Sequence, residues 1–193
     1  MKLKKVFKII GKRILIIIVT LLVCIVCMFV YRQIRLKTDI EYLKKQGYYN
    51  PVSVDDYSLN LLDFGNKEGK YTIVAMAGYG IPDSCITMRK MTSVLEADNR
   101  VIFLDRAGYG ASGDTENEMT AEYIVEDYRK ALKNAGVEAP YVLMPHSIAG
   151  VYAAYWESKY PEEIEAIAFI DATEWYSPSA WYYNINIISI ILK

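Results

Sequence analysis

The stretch Tyr141-Val-Leu-Met-Pro-His-Ser-Ile-Ala-Gly150 decides the fold of this chain. An apolar run ends abruptly just before Ser147, and a helical pattern begins at once over residues 148–160. A serine on such a sharp strand-to-helix turn is held with its hydroxyl exposed at the top of a sheet. That is the geometry that a nucleophile of acyl transfer needs. Ala149 and Gly150 supply the small side chains that the closely approaching backbone requires.

One residue before Ser147 departs from the usual pattern of this turn, and the other is a histidine. Pro145 stands where glycine would be usual, and it lacks the N–H of a central strand, so we expect it just beyond the last ladder hydrogen bond. His146 is the one histidine of the sequence. Adjacent side chains on a tight turn point apart, so His146 is predicted to be structural and not to accept the Ser147 proton.

Apolar runs and helical patterns alternate on both sides of this stretch. Continuous apolar runs are typical of strands buried on both faces of a sheet, and we predict such strands at 71–77, 100–105, 141–144 and 164–170. We predict helices at 84–97, 120–135 and 148–160, with Thr120 as a cap and Gly136 as a stop, and an edge strand at 57–64. The alternation predicts an α/β fold, a mostly parallel sheet with helices on both faces.

The N-terminal region predicts a transmembrane anchor. Residues 14–31 carry no charge, and their length is close to the ~20 residues that cross a bilayer. Basic residues dominate the preceding tail, 1–13, which places that tail in the cytoplasm and the rest of the chain on the other side of the cell membrane. A charged spacer, 32–55, follows the span. A cleaved signal peptide is the alternative, but its apolar region is usually ~7–15 residues and ends at a small-x-small site.

Charge and cysteine usage exclude several classes of function. The net charge of −1 gives no sign of a nucleic-acid partner. Cys24 and Cys27 have CxxC spacing but lie within the apolar span, where packing against lipid is the better interpretation. Cys85 is then the one thiol of the remaining part, so no internal disulfide is expected there. The sequence predicts no metal site and no cofactor.

Three blocks in order resemble the α/β-hydrolase superfamily, in its lid-bearing single-domain form, over roughly residues 56–176. In the family's strand numbering, the strands at 71–77, 100–105 and 164–170 are the third, fourth and sixth. The blocks are Met76-Ala-Gly-Tyr-Gly80 after the third strand, Asp105-Arg-Ala-Gly-Tyr-Gly-Ala-Ser112 after the fourth, and Pro145-His-Ser-Ile-Ala-Gly150. They look like the oxyanion loop, the turn after the fourth strand and the nucleophile elbow of that family.

The resemblance implies a role for each matching residue. Ser147 matches the nucleophile, and the backbone N–H groups of Ile148 and Tyr79 match the two donors of the oxyanion hole. The implied chemistry is hydrolysis of a small-molecule ester or amide through an acyl-Ser147 intermediate. Asp171, at the end of the sixth strand, matches a position where a minority of relatives carry the triad acid, although a turn or lid-hinge role is the more ordinary one. Asp105-Arg106 is expected to be a structural turn pair.

The family order is serine, then acid, then histidine, and no histidine follows Ser147 in this sequence. We therefore interpret the chain as an N-terminal portion, truncated after the sixth strand, with residues 177–193 opening a lid helix. The triad acid and histidine would then be missing from this chain. The alternative is a catalytically inactive hydrolase remnant or a membrane-tethered binding module, with an exposed sheet edge beside the sixth strand. A second membrane span at 181–192 is too short.

Overall fold

A computed structural model describes the backbone of residues 2–81, 83–173 and 188–192, and the side chains of 7–81 and 83–173. The chain divides into two units, Met1–Gln46 and Gly47–Lys193. The first unit is a helix, α1 (Lys2–Gln46), which ends at Gly47, a glycine with a φ of 76°. By length and composition this helix is apolar enough to cross a membrane, with a mean hydropathy of 3.2 in its most apolar window. It continues through residues 32–46, the first part of the expected spacer.

The second unit is a sheet flanked by helices. Its strands are β1 (Pro51–Ser53), β2 (Ser58–Gly65), β3 (Thr72–Met76), β4 (Arg100–Leu104), β5 (Tyr141–Pro145), β6 (Ile164–Ile170) and β7 (Ile188–Leu192). Its helices are α2 (Ser84–Thr92), α3 (Ala121–Asn134) and α4 (Ala149–Lys159), with short 3₁₀ turns at Ser93–Leu95 and Pro161–Glu163. The four predicted buried strands and three predicted helices are therefore confirmed; the helices are shorter than predicted, and the strand ends agree within one residue.

The strand order within the described sheet is β1-β2-β4-β3-β5-β6-β7. Strands β3, β4, β5 and β6 are mutually parallel, whereas β2 pairs antiparallel with β4 and β7 pairs antiparallel with β6. The predicted α/β class, mostly parallel, is confirmed.

The core lies on both faces of this sheet. On one face α3 and α4 pack against alternate residues of the central strands, with Tyr128 and Trp156 fully buried. On the other face α2 packs Met88 against Phe103 and its neighbours. Thr120 caps α3 as predicted, since its hydroxyl accepts a hydrogen bond from the Tyr123 N–H.

Three local expectations were wrong. The segment 57–64 is not an edge, because the chain reverses at 54–57 and β1 lies antiparallel along β2, with Pro51 paired to Asn60. Residues 188–192 form strand β7 rather than a helix, since the β-branched run Ile188-Ser-Ile-Ile-Leu192 pairs with β6. The β6 edge is thus covered, contrary to expectation; the remainder of the expected lid segment, 177–187 and 193, lies outside the described residues.

Pro145 is the third case. It lies within β5, opposite Met76 of β3, and the next residue still donates, from the His146 N–H to the Met76 carbonyl at 2.9 Å. Because successive N–H groups of a strand point to opposite neighbours, the missing Pro145 donor faces β6. The regular β5–β6 register accordingly stops at Leu143 and resumes only as an isolated bridge between His146 and Ile170.

Candidate active site

The turns that follow the central strands lie at one edge of the sheet. Met76, Leu104 and Pro145 are in register across β4, β3 and β5. The chain leaves all three strands at their carboxyl ends, so the oxyanion loop, the turn after β4 and the elbow after β5 begin side by side. The three blocks quoted from the sequence therefore meet in space.

The elbow itself holds Ser147 in a strained conformation. Its φ is 55°, in the left-handed region that a residue with a side chain rarely adopts. The Ser147 carbonyl accepts two backbone hydrogen bonds, from Gly150 at 3.0 Å and from Thr173 at 2.8 Å. These contacts fix the peptide on the carboxyl side of Ser147.

Gly78 of the oxyanion loop is pressed against this elbow. A Cβ added to Gly78 would lie 2.8 Å from the Ser147 Cβ and 2.9 Å from the His146 Nδ1. Real Cβ atoms do not approach other atoms so closely, so only glycine allows this backbone to lie beside the serine. Gly150 is similarly required at the start of α4, where an added Cβ would lie 2.3 Å from the Thr173 carbonyl oxygen.

The two predicted oxyanion donors are backbone amides on either side of this contact. Tyr79 directly follows Gly78, and Ile148 directly follows Ser147 as the N-cap residue of α4. Neither amide donates a hydrogen bond to another described residue. The Ile148 N–H lies at a helix start, where N–H groups have no partner within the helix. Both amides are therefore available to a bound anion or oxyanion.

The Asp105-Arg106 pair organises the surrounding turns. The buried Asp105 carboxylate accepts hydrogen bonds from the Ser84 N–H at 2.9 Å, the Ser84 hydroxyl at 2.8 Å and the Asn60 amide at 3.1 Å. It thereby joins the start of α2, β2 and the end of β4. Arg106 donates to the carbonyls of Ala77 and Gly78, at 2.5 and 2.9 Å. Both side chains bind protein groups, as expected of a structural turn pair.

Comparison with known proteins identifies the family of the chain. The sequence profile of the alpha/beta hydrolase fold family matches residues 79–187, more than half of the chain. The chain belongs to the alpha/beta hydrolase fold family.

Two curated relatives come from Bacillus subtilis (strain 168). The chain is 38% identical over 146 residues to the uncharacterized protein YbdG of Bacillus subtilis (strain 168), covering 76% of this chain and 44% of YbdG. It is 32% identical over 100 residues to the uncharacterized protein YqjL of the same organism, covering 52% of this chain and 39% of YqjL. The chain thus spans less than half the length of these curated relatives.

Solved structures share the fold. The crystal structure of Cfl2 from Burkholderia cenocepacia superposes with a TM-score of 0.60 at 22% identity, over 72% of this chain and 46% of Cfl2. A meta-cleavage product hydrolase from Pseudomonas fluorescens IP01 superposes with a TM-score of 0.57 at 18% identity, over 64% of this chain and 44% of that enzyme. At these identities the likeness concerns the hydrolase fold alone.

Asp171 lies beside the elbow at the end of β6. The bridge between His146 and Ile170 places the next residue of each strand, Ser147 and Asp171, at the same level of the sheet. Asp171 is exposed and has a φ of 42°, the second described non-glycine residue in the left-handed region. This position suits both readings of Asp171, the triad acid and the turn residue.

His146 lies between the elbow and the oxyanion loop. Its Nδ1 is buried, faces Gly78, and has no hydrogen-bond partner among the described residues. Cys85 lies on α2 within the core, where burial raises the pKa of its thiol to about 12. Such a thiol remains protonated at neutral pH and is a poor nucleophile.

Sequence reasoning missed two residues that shape this site. Arg106 was expected in a structural turn, but its contact with the oxyanion loop joins residues 28 and 29 positions apart in sequence. Thr173, whose N–H binds the Ser147 carbonyl, follows β6 in a segment without a recognisable motif. A contact between distant loops leaves no local pattern, so only the topology reveals it.

Proposed function

We propose that this member of the hydrolase family is a membrane-anchored serine hydrolase that cleaves small-molecule esters or amides through an acyl-Ser147 intermediate. The observation that carries the proposal is the strained φ of 55° at Ser147 with Gly78 packed against it. Backbone strain at a strand-to-helix turn is retained where it presents a reactive side chain.

The chemistry assigned to the site has two halves. The Ser147 Oγ attacks the carbonyl carbon of the substrate, and the carbonyl oxygen becomes an oxyanion that accepts hydrogen bonds from the Tyr79 and Ile148 amides. The bond to the alcohol or amine then breaks, and the leaving group takes the proton given up by Ser147. Water attacks the acyl-enzyme in the same way, releases the acid and restores the serine.

The proton has to pass through a general base. His146 is adjacent to Ser147 and its Nδ1 faces Gly78, which supports a structural role for it. The proposal therefore requires a general base other than His146, and no histidine follows Ser147 in this sequence. Asp171 is the candidate within the chain for the acid that orients such a base.

The long apolar helix α1 supports a membrane anchor. Its uncharged section, 14–31, and the excess of lysine and arginine before it favour a cytoplasmic N-terminus and a hydrolase core on the other side of the cell membrane.

A second candidate function is a tethered binding module without catalysis. It is favoured by a single observation, the one histidine of the sequence, which lies in a position unsuited to a general base. The free amides of Tyr79 and Ile148 would then bind a carboxylate or another small anion rather than stabilise an oxyanion.

Hydrolysis of p-nitrophenyl esters by the protein in its native membranes tests the first function against the second. The wild type is expected to hydrolyse short-chain esters, and Ser147→Ala is expected to lose this activity. Ser158→Ala, which removes an exposed hydroxyl from α4, serves as the matched control and is expected to retain it. Equal rates for the wild type and Ser147→Ala would favour the binding module.

A further inference from the structure

Arg106 stands out among the charged residues because it is buried and its charge is directed at backbone. It is 5% exposed. No carboxylate of the described residues lies within ion-pair distance of its guanidinium. Its two terminal nitrogens donate to successive carbonyls of the oxyanion loop, Nη1 to Ala77 at 2.5 Å and Nη2 to Gly78 at 2.9 Å. The guanidinium also lies over the Tyr109 ring, 4.4 Å from its centroid, so its hydrogen bonds go to backbone and its side-chain contact is with an aromatic face.

The Gly78 carbonyl belongs to the same peptide unit as the Tyr79 N–H. A trans peptide is planar, and its C=O and N–H point in opposite directions. When Arg106 holds the Gly78 oxygen, it therefore also fixes the direction in which the Tyr79 N–H points, which is away from Arg106. A second hydrogen bond to Ala77 prevents the loop from pivoting about the first.

The same hydrogen bond strengthens the Tyr79 donor. A cation bound to a carbonyl oxygen draws electron density from the amide nitrogen, and hydrogen bonds in series polarise one another. Charge-assisted bonds are the stronger kind, and burial reduces screening by solvent. The Tyr79 N–H is thereby a better donor to an anionic oxygen than an ordinary loop amide.

We propose that Arg106 is a positioning residue of the oxyanion hole, which orients and polarises the Gly78–Tyr79 peptide so that its N–H stabilises developing negative charge. The proposal rests on the proposed function for the identity of that charge, the oxyanion of an acyl or phosphonyl group on Ser147. A purely structural Arg106 would stabilise the fold without affecting the electronic state of this peptide.

Selective isotope labelling gives a direct readout of this peptide. The sequence has three Gly-Tyr pairs, at 47–48, 78–79 and 108–109, so carbonyl-¹³C glycine with ¹⁵N tyrosine yields three correlated signals from the full-length chain in detergent micelles. Tyr79→Phe assigns the signal of interest by removing it. The amide shift of Tyr79 and the carbonyl shift of Gly78 both report the hydrogen bond to the Gly78 oxygen.

Arg106→Met removes the donors while retaining much of the side-chain length. The matched control is Arg100→Met, which breaks the ion pair with Asp63 at the opposite end of β4 and leaves the oxyanion loop untouched. If Arg106→Met does not fold, Arg106→Lys is used in its place. Lysine keeps the positive charge but cannot donate to the Ala77 and Gly78 carbonyls from two terminal nitrogens. We expect the Tyr79 and Gly78 shifts to move in the Arg106 variant and to stay in place in Arg100→Met.

The second readout is the rate at which a fluorophosphonate phosphonylates Ser147 in the protein from native membranes, with loss of fluoride. We expect Arg106→Met to slow this reaction about tenfold or more relative to Arg100→Met, toward the ~10²–10³-fold loss that removal of a whole oxyanion donor causes. The proposal is overturned if the Tyr79 and Gly78 shifts do not move in Arg106→Met. It is also overturned if the wild type reacts with the fluorophosphonate and Arg106→Met reacts at the same rate. If the wild type does not react with the fluorophosphonate but the shifts move in Arg106→Met, the proposed hydrolase function fails while the orientation of the peptide by Arg106 is supported.

Discussion

At the scale of single residues, Ser147 combines a reactive side chain with a backbone conformation that favours glycine. Ser147→Ala and Ser147→Gly both remove the hydroxyl, so their difference isolates the backbone strain at a φ of 55°. The left-handed conformation costs a residue with a Cβ roughly 1–2 kcal/mol, part of which glycine loses again through its freer unfolded chain.

We therefore expect Ser147→Gly to exceed Ser147→Ala by about 1 kcal/mol in the free energy of unfolding, measured by urea denaturation in micelles. Ala149→Gly, at the helical start of α4, is the control and is expected to be destabilised instead. A Ser147→Gly variant less stable than Ser147→Ala would contradict the strained elbow.

Gly78 gives a steric prediction at the same scale. Gly78→Ala places a methyl group 2.8 Å from the Ser147 Cβ, so the loop has to shift and carry the Tyr79 amide with it. We expect ester hydrolysis to fall by ~10²-fold, the loss typical of one oxyanion donor. Gly80→Ala, in the same loop with no atom within 4 Å of the added Cβ, is expected to reduce the rate less, although its φ of 72° makes it locally strained. Equal rates in the two variants would contradict the close approach of Gly78.

Whether a site residue could be predicted from the sequence depends on how far away, along the chain, the residues that it contacts lie. Ser147, Tyr79 and Ile148 could be proposed from the sequence because each sits in a short local motif whose backbone geometry is fixed by small residues. The contacts of Arg106 and Thr173 could not, because they depend on which strands become neighbours in the sheet.

At the scale of elements, Glu163, in the 3₁₀ turn between α4 and β6, joins α3 and α4. Its carboxylate accepts hydrogen bonds from Arg129 of α3, the shortest at 2.7 Å, and from the Trp156 indole of α4 at 2.8 Å. Burial alone would raise the pKa of Glu163, but the bonds from Arg129 and Trp156 outweigh it and lower the pKa.

A lowered folded-state pKa means that this stabilisation is present above the unfolded pKa of about 4.3 and is lost as the pH falls through the folded value. We expect Glu163→Gln to lower the free energy of unfolding by about 1–2 kcal/mol at pH 7, allowing for partial exposure, and to lower it less near pH 3. Chemical denaturation across this range measures the difference. Glu162→Gln, on the exposed neighbouring residue, is the control; parallel pH curves for Glu163→Gln and wild type would contradict the linkage.

The elements also show where sequence patterns suffice. Runs such as 71–77 and 100–105 predict buried strands because a strand covered on both faces has to be apolar throughout. The pattern did not predict β1, whose Pro51-Val-Ser53 is short and mostly exposed, because an edge strand is defined by its pairing and not by its burial. Pro145 was misplaced for a related reason, since one missing N–H affects only one of the two neighbours of a central strand.

At the scale of the whole molecule, α1 carries the proposal of membrane attachment. An arginine near the centre of a membrane-spanning helix costs about 2.5–3.5 kcal/mol. We expect the wild type to remain in the membrane pellet after alkaline carbonate extraction, and the double variant Ile18→Arg/Val23→Arg to be released. Ile34→Arg, beyond the uncharged section 14–31, is expected to behave like wild type. Complete extraction of the wild type by carbonate would contradict a membrane-spanning α1.

The central claim is that the elbow presents Ser147 as a nucleophile, and mapping a fluorophosphonate adduct tests it most directly. The protein in its native membranes is treated with the probe, digested with trypsin and sequenced by tandem mass spectrometry. The peptide 134–159 carries both Ser147 and Ser158, so the fragment ions distinguish the elbow serine from an exposed one on α4. We predict a single adduct on Ser147 that is absent from Ser147→Ala. No adduct, or one on Ser158 that persists in Ser147→Ala, would contradict the account.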